Sequence, residues 1–161
     1  MNVAIRRLAV AVGVLLLVAA SAGSALAAAP VQFRFTETVS FTDDTSCSFP
    51  IALNFQVDIV GRVFFDAQGN FQSAIVQQNV IGTDSANGKT LSETDHNVDF
   101  FNAAGYDKTV GLPIHVRLSG GGVVIRDAGY VLFNPDGSVA FIRGPHPQLE
   151  GNTAALCAAL S

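Results

Sequence analysis

Tryptophan is missing from the 161 residues, and cysteine occurs only twice, as Cys47 and Cys157. Two isolated cysteines exclude a zinc centre built from paired thiolates. Lysine and arginine total nine against thirteen acidic residues, and they are scattered along the chain. A chain without clustered cations is not expected to neutralise phosphates, so no nucleic-acid partner is predicted. Enzyme signatures are lacking too: there is no G-x-S-x-G turn, no G-x-x-x-x-G-K loop and no H-E-x-x-H pair. Thr42-Asp43-Asp44-Thr45 sets two carboxylates side by side, without the alternating ligands of a calcium loop. The sequence therefore names no cofactor and no metal, and the catalytic residues stay unassigned.

What is present first is an export signal. Arg6 and Arg7 precede a 13-residue apolar run from Leu8 to Ala20, and Ala25-Leu26-Ala27 follows, the pattern of a signal peptide cleaved after Ala27. The run is too short to span a bilayer. Removing 27 residues leaves one domain of 134, numbered 28–161, with no membrane span. Its apolar share is 59 residues in 134, and its formal charge is seven cations against thirteen anions, or −6. Fourteen Phe and Tyr residues, with many Val and Ile, suffice for one core, so disorder is not its main state. In an oxidising compartment Cys47 and Cys157 are expected to pair.

Apolar residues recur with period two. Val31, Phe33, Phe35, Val39 and Phe41 alternate with polar neighbours, as do Phe49, Ile51, Leu53, Phe55, Val57, Ile59, Val63 and Phe65. Turn signals at 66–69, 87–88, 119–122 and 134–137 separate seven predicted strands, near 31–41, 49–66, 70–83, 89–101, 108–118, 123–134 and 138–143. Gly61 is expected to bend the second strand. The Ala- and Leu-rich tail from 152 to 160 reads as a short helix. The fold class is all-β: a small antiparallel meander barrel of about seven or eight strands, closed or nearly so, with a C-terminal helix that plugs an end or packs outside. A β-sandwich is the alternative.

Hairpin arithmetic then assigns faces. Pairing Phe41 with Phe49, Asp66 with Asn70, Ala86 with Lys89, Asn102 with Lys108, Leu118 with Val123 and Asn134 with Ser138 gives one inner row of Phe33, Val57, Asn79, His96, Ile114 and Asp127. Thr94 and Gln77 lie one step away, and Arg143 is inward and diagonal to Asp127. Asn79, Thr94, His96, Asp127 and Arg143 are the candidate ligand contacts, with His96 able to act near neutral pH. A satisfied polar core is the competing reading. The same register puts Glu93 opposite Arg117 and Asp95 opposite His115 on the outer face, and sets His96 and His115 on opposite faces, against a histidine metal site. His146, between Pro145 and Pro147, is read as an imidazole presented by a stiff surface loop.

Cys47-Ser48-Phe49-Pro50, the glycines 120–122 leading to Asp127-Ala128-Gly129, Asn134-Pro135-Asp136-Gly137, Gly144-Pro145-His146-Pro147 and the closing Leu156-Cys157-Ala158-Ala159-Leu160 together resemble a group of secreted actinobacterial proteins with no established activity. The resemblance implies export, the disulfide and a role for the Pro-His-Pro loop. The general shape is also similar to small secreted barrels that hold lipids or catalyse cyclisations in the lumen. The leading expectation is a secreted barrel that binds a small, partly apolar molecule inside. Two alternatives stand beside it. One is a cofactor-independent isomerase, cyclase or hydrolase using His96 and Asp127. The other is a cell-surface or protein-binding module with a filled core, using Phe101, Tyr106 and the His146 loop.

Overall fold

A computed structural model describes residues 29–161, so the signal segment and its cleavage point at Ala27 lie outside the described residues. Seven strands follow in order: β1 (Val31–Asp43), β2 (Ile51–Phe65), β3 (Phe71–Ala86), β4 (Lys89–Asn102), β5 (Asp107–Arg117), β6 (Val123–Phe133) and β7 (Val139–Arg143). A helix, α1 (Ala154–Leu160), ends the chain. Every strand pairs antiparallel with its sequence neighbour in one sheet, β1 and β7 forming the edges. The all-β meander is as expected. The sheet is not closed by pairing of β1 with β7, and the seven strands form one sheet rather than the two of a sandwich.

Alternation makes the core. On β2, Ile51, Leu53, Phe55, Val57, Ile59 and Val63 are buried, while Asn54, Gln56 and Arg62 between them are exposed. Gly61 shares the inner side, and the Phe33 ring from β1 occupies the space a Cβ would need, 2.1 Å from it. The missing side chain thus seats an aromatic ring, and β2 continues through the glycine to Phe65.

Four connections use one turn. The N–H groups of Asp66, Asn102, Leu118 and Asn134 donate to the carbonyls of the residues four further on, Asn70, Tyr106, Gly122 and Ser138. Gly69, Gly105, Gly121 and Gly137 take the left-handed backbone that this turn requires. Asn87-Gly88, both at positive φ, makes the expected tighter hairpin.

After three of these turns the returning strand carries one residue too many. Phe65 faces Phe71 but Phe64 faces Ser73, leaving Gln72 as a bulge; Val124 and Ala140 are left over in the same way on β6 and β7. The bulge at Gln72 moves every later partner on β3 by one. Val57 therefore faces Val80, not the expected Asn79, while the expected pairing of Asn79 with His96 is kept between β3 and β4. Both strands are consequently reversed face for face.

The helix lies against the inner side, where Leu156 and Leu160 join the same apolar cluster as Ile51, Val76 and Ile125. Disulfide Cys47–Cys157 pins it to the loop after β1, and Thr153 Oγ1 donates to the Ser46 carbonyl at 2.7 Å. Thr153 stands at the N-cap but spends its hydroxyl on this tie, not on capping. At the other end Asn87 Nδ2 donates to the Leu160 carbonyl at 3.0 Å.

Candidate functional site

The reversal of β3 and β4 rearranges the expected site. Asn79 and His96 do meet, Asn79 Oδ1 lying 2.5 Å from His96 Nδ1, but on the outer, exposed side. Thr94 is also exposed there, with Oγ1 3.5 Å from His115 Nδ1. Arg143 is exposed opposite Tyr130, because the bulge at Ala140 turns it out. Of the five candidate ligand contacts only Asp127 points inward, facing Ile114 as expected. His96 and Asp127 thus stand on opposite faces of the sheet and do not form an acid–base pair.

Inside, Val80 takes the place expected for Asn79, and acids of β4 take those expected for Thr94 and His96. Along β4 the inward residues Glu93, Asp95, Asn97 and Asp99 are all buried, and Asp84 joins them from β3. The expected outer pairs of Glu93 with Arg117 and Asp95 with His115 are not made. Glu93 faces Val116, and Asp95 Oδ1 accepts the His115 backbone N–H at 2.8 Å. Asp99 takes three donors: Gln78 Nε2 at 2.5 Å and Asn97 Nδ2 at 2.9 Å on one oxygen, Thr109 Oγ1 at 2.6 Å on the other. Both oxygens of the buried Asp99 carboxylate are thus engaged within the core.

Asp127 holds the loop that follows β7. Its carboxylate accepts the N–H groups of Gln148 at 3.0 Å and Leu149 at 3.2 Å, while Ala128 N donates to the Pro145 carbonyl at 2.8 Å. His146 is carried inward by this anchorage and is 1% exposed, the reverse of a presented surface imidazole. Its Nδ1 lies 4.0 Å from Asp127 Oδ2. Burial pushes the Asp127 carboxyl up, and the two backbone donors and His146 offset only part of that. Near the disulfide, burial works to raise Asp43 as well. Hydrogen bonds from Ser46 and Thr45 outweigh it and hold that carboxyl far below the usual range.

Apart from Arg143 and Arg117, the cations are given no face by the sequence reading. Arg34, Arg62, Lys108, Arg117, Arg126 and Arg143 all occupy outward positions on the strands, paired with outward residues such as Val60, Ile75, Leu132, Ser92, His115 and Tyr130. Asp58 is the one carboxylate at an outward strand position among the described residues, and it accepts Thr36 Oγ1 at 2.5 Å. The acids of β4, β5 and β6 all face inward. Cations scattered in sequence are therefore gathered on one side in space, which removes the premise for discounting anionic partners. Apolar groups lie among them: Lys108 Nζ sits 3.9 Å above the Phe100 ring, and Tyr130 meets exposed Phe141 edge to face at 5.6 Å. Tyr106 is exposed as expected, whereas Phe101 is half-buried against the core.

Among the described residues no three His, Cys, Asp or Glu side chains gather as a metal-holding group, and no helix is long and apolar enough to cross a membrane. No family model matches the chain, and neither a curated protein nor a solved structure does so.

Proposed function

We propose that the chain is an exported binding module with a filled interior, whose partner meets the outer face of the sheet. One observation carries the reading: the register sorts charge, sealing Asp84, Glu93, Asp95, Asp99 and Asp127 inside while Arg34, Arg62, Lys108, Arg117, Arg126 and Arg143 stand outside. An acidic protein with one cationic sheet face is suited to an anionic partner there, because the nearby exposed charges dominate the field at short range. Export is supported by the signal pattern and the disulfide.

The test is retention of the mature protein, formally −6, on a sulfonated cation-exchange resin at neutral pH and low salt. Binding that is released by added salt is expected; passage straight through the column overturns the reading. Native mass spectrometry supplies the second arm. An apo mass is expected, and extra mass released only on denaturation would instead restore the small apolar ligand inside.

A further inference from the structure

Two guanidinium groups and an imidazole converge on the outer side of β5 and β6. His115 is directly opposite Arg126, and Arg117 follows His115 by two residues, with Thr94 approaching from β4 at 3.5 Å. Side chains so related are cross-strand and diagonal neighbours, within mutual reach for groups of arginine length. Like charges in this arrangement repel, and neither guanidinium is ion-paired among the described residues. Arg117 Nη2 donates to the Gly121 carbonyl at 3.2 Å, which fixes its head and leaves its other N–H donors available. The negative groups nearest in register, Asp95 and Glu93, belong to the opposite face and are buried, Asp95 being engaged by the His115 backbone.

We infer that Thr94, His115, Arg117 and Arg126 form a binding site for a tetrahedral oxyanion of the phosphate or sulfate type. The inference rests on the outer-face reading and gives that face a specific ligand group. Three strands supply donors from three directions: a hydroxyl from β4, an imidazole and a guanidinium from β5, and a guanidinium from β6. A tetrahedral anion has oxygens for each, and guanidinium forks are matched to such oxygens. Burial, then Arg117 and Arg126, push the His115 pKa down. A bound anion acts oppositely, favouring the protonated ring, so by linkage affinity rises as pH falls through the His115 titration and the ligand raises that pKa.

The experiment follows the histidine ring protons of the mature protein by NMR during titration with sodium sulfate, which does not itself titrate near neutrality. A saturable shift of His115 and an upward move of its pKa are expected. His96, exposed on the same face, is the internal control for ionic strength. Arg126→Gln and Arg117→Gln, checked for native circular dichroism, should each weaken binding at least about tenfold, the loss of one charge-assisted contact. Equal unsaturated drift of His96 and His115 overturns the site. If resin retention persists in that case, the outer-face reading survives alone; if retention is absent too, both fall. With saturation established, the same His115 signal read against polyphosphate and against phosphatidylglycerol vesicles identifies the carrier. Tighter binding to one of them assigns the oxyanion to a polymer or a bilayer, and no gain with either assigns it to the free ion.

Discussion

Asp127 shows how much one side chain does in this protein. It is 2% exposed, anchors the 145–149 loop through two backbone N–H groups and stands beside His146. Its pKa is raised in the fold, mainly by burial, so between the ordinary value of 3.8 and that raised value the folded state binds more protons than the unfolded one. Stability then falls as pH rises through that window. Asp127→Asn removes the titration. It also loses an acceptor for one backbone donor, a pH-independent cost of about 1–3 kcal/mol. The expected outcome, from urea denaturation at stepped pH, is that wild type loses stability relative to the variant as pH climbs above about 4, and that the difference levels off higher up. A slope of the opposite sign would mean that the hydrogen bonds outweigh burial at this carboxyl.

At the scale of elements, the helix depends on its ties. Seven residues are too few to hold a helix in water unaided, and α1 is kept by Cys157, Thr153 and the two buried leucines. The bridge closes a loop with a sequence separation of 110, for which chain entropy predicts about 4.7 kcal/mol before native strain. Replacing Cys47 and Cys157 together by Ser should lower stability by about 2–5 kcal/mol. Protection from hydrogen exchange should then be lost first at the amides of α1 and the 44–50 loop, while those of β2 and β3 stay protected. Uniform loss of protection would show that the helix and sheet unfold as one unit.

The same elements explain what the sequence made legible. Strand β2 could be read outright, because its apolar residues fall on one parity. The disulfide follows from the cysteine count, and four of the five tight turns from their Asp, Asn, Ser and Gly residues. The fifth closes Asn102 on Tyr106 instead of the expected Lys108, and Phe41, expected opposite Phe49, faces Leu53. Strand β4 could not be read this way: Glu93, Asp95, Asn97 and Asp99 alternate with Thr94, His96 and Val98, so neither parity is clearly the apolar one. Its orientation is inherited through β3 from the bulge at Gln72, which no residue type announces. Sequence parity therefore points the candidate site to the opposite face, while the partnership of Asn79 and His96 is as expected.

For the whole molecule, sorted charge is a product of folding. In the unfolded chain Glu93 and Asp95 flank Thr94 on the way to His115 and Arg117, and most cations have an acid within a few residues, as Arg34 has Glu37, Lys108 has Asp107 and Arg126 has Asp127. Reduced protein in urea should consequently pass through the sulfonated resin that retains the native form, and refolding with reoxidation should restore retention. Equal retention of both states would assign binding to a local run of sequence rather than to the sheet.

The extra residue at Gln72 also has an evolutionary reading. A hairpin's length, counted in single residues, decides which of two chemistries β3 and β4 offer to the surroundings. Losing that residue would put carboxylates on the exterior in place of imidazole and amide, without altering one other side chain. Selection on what this surface meets thus acts as much on insertions and deletions beside a turn as on substitutions within the strands.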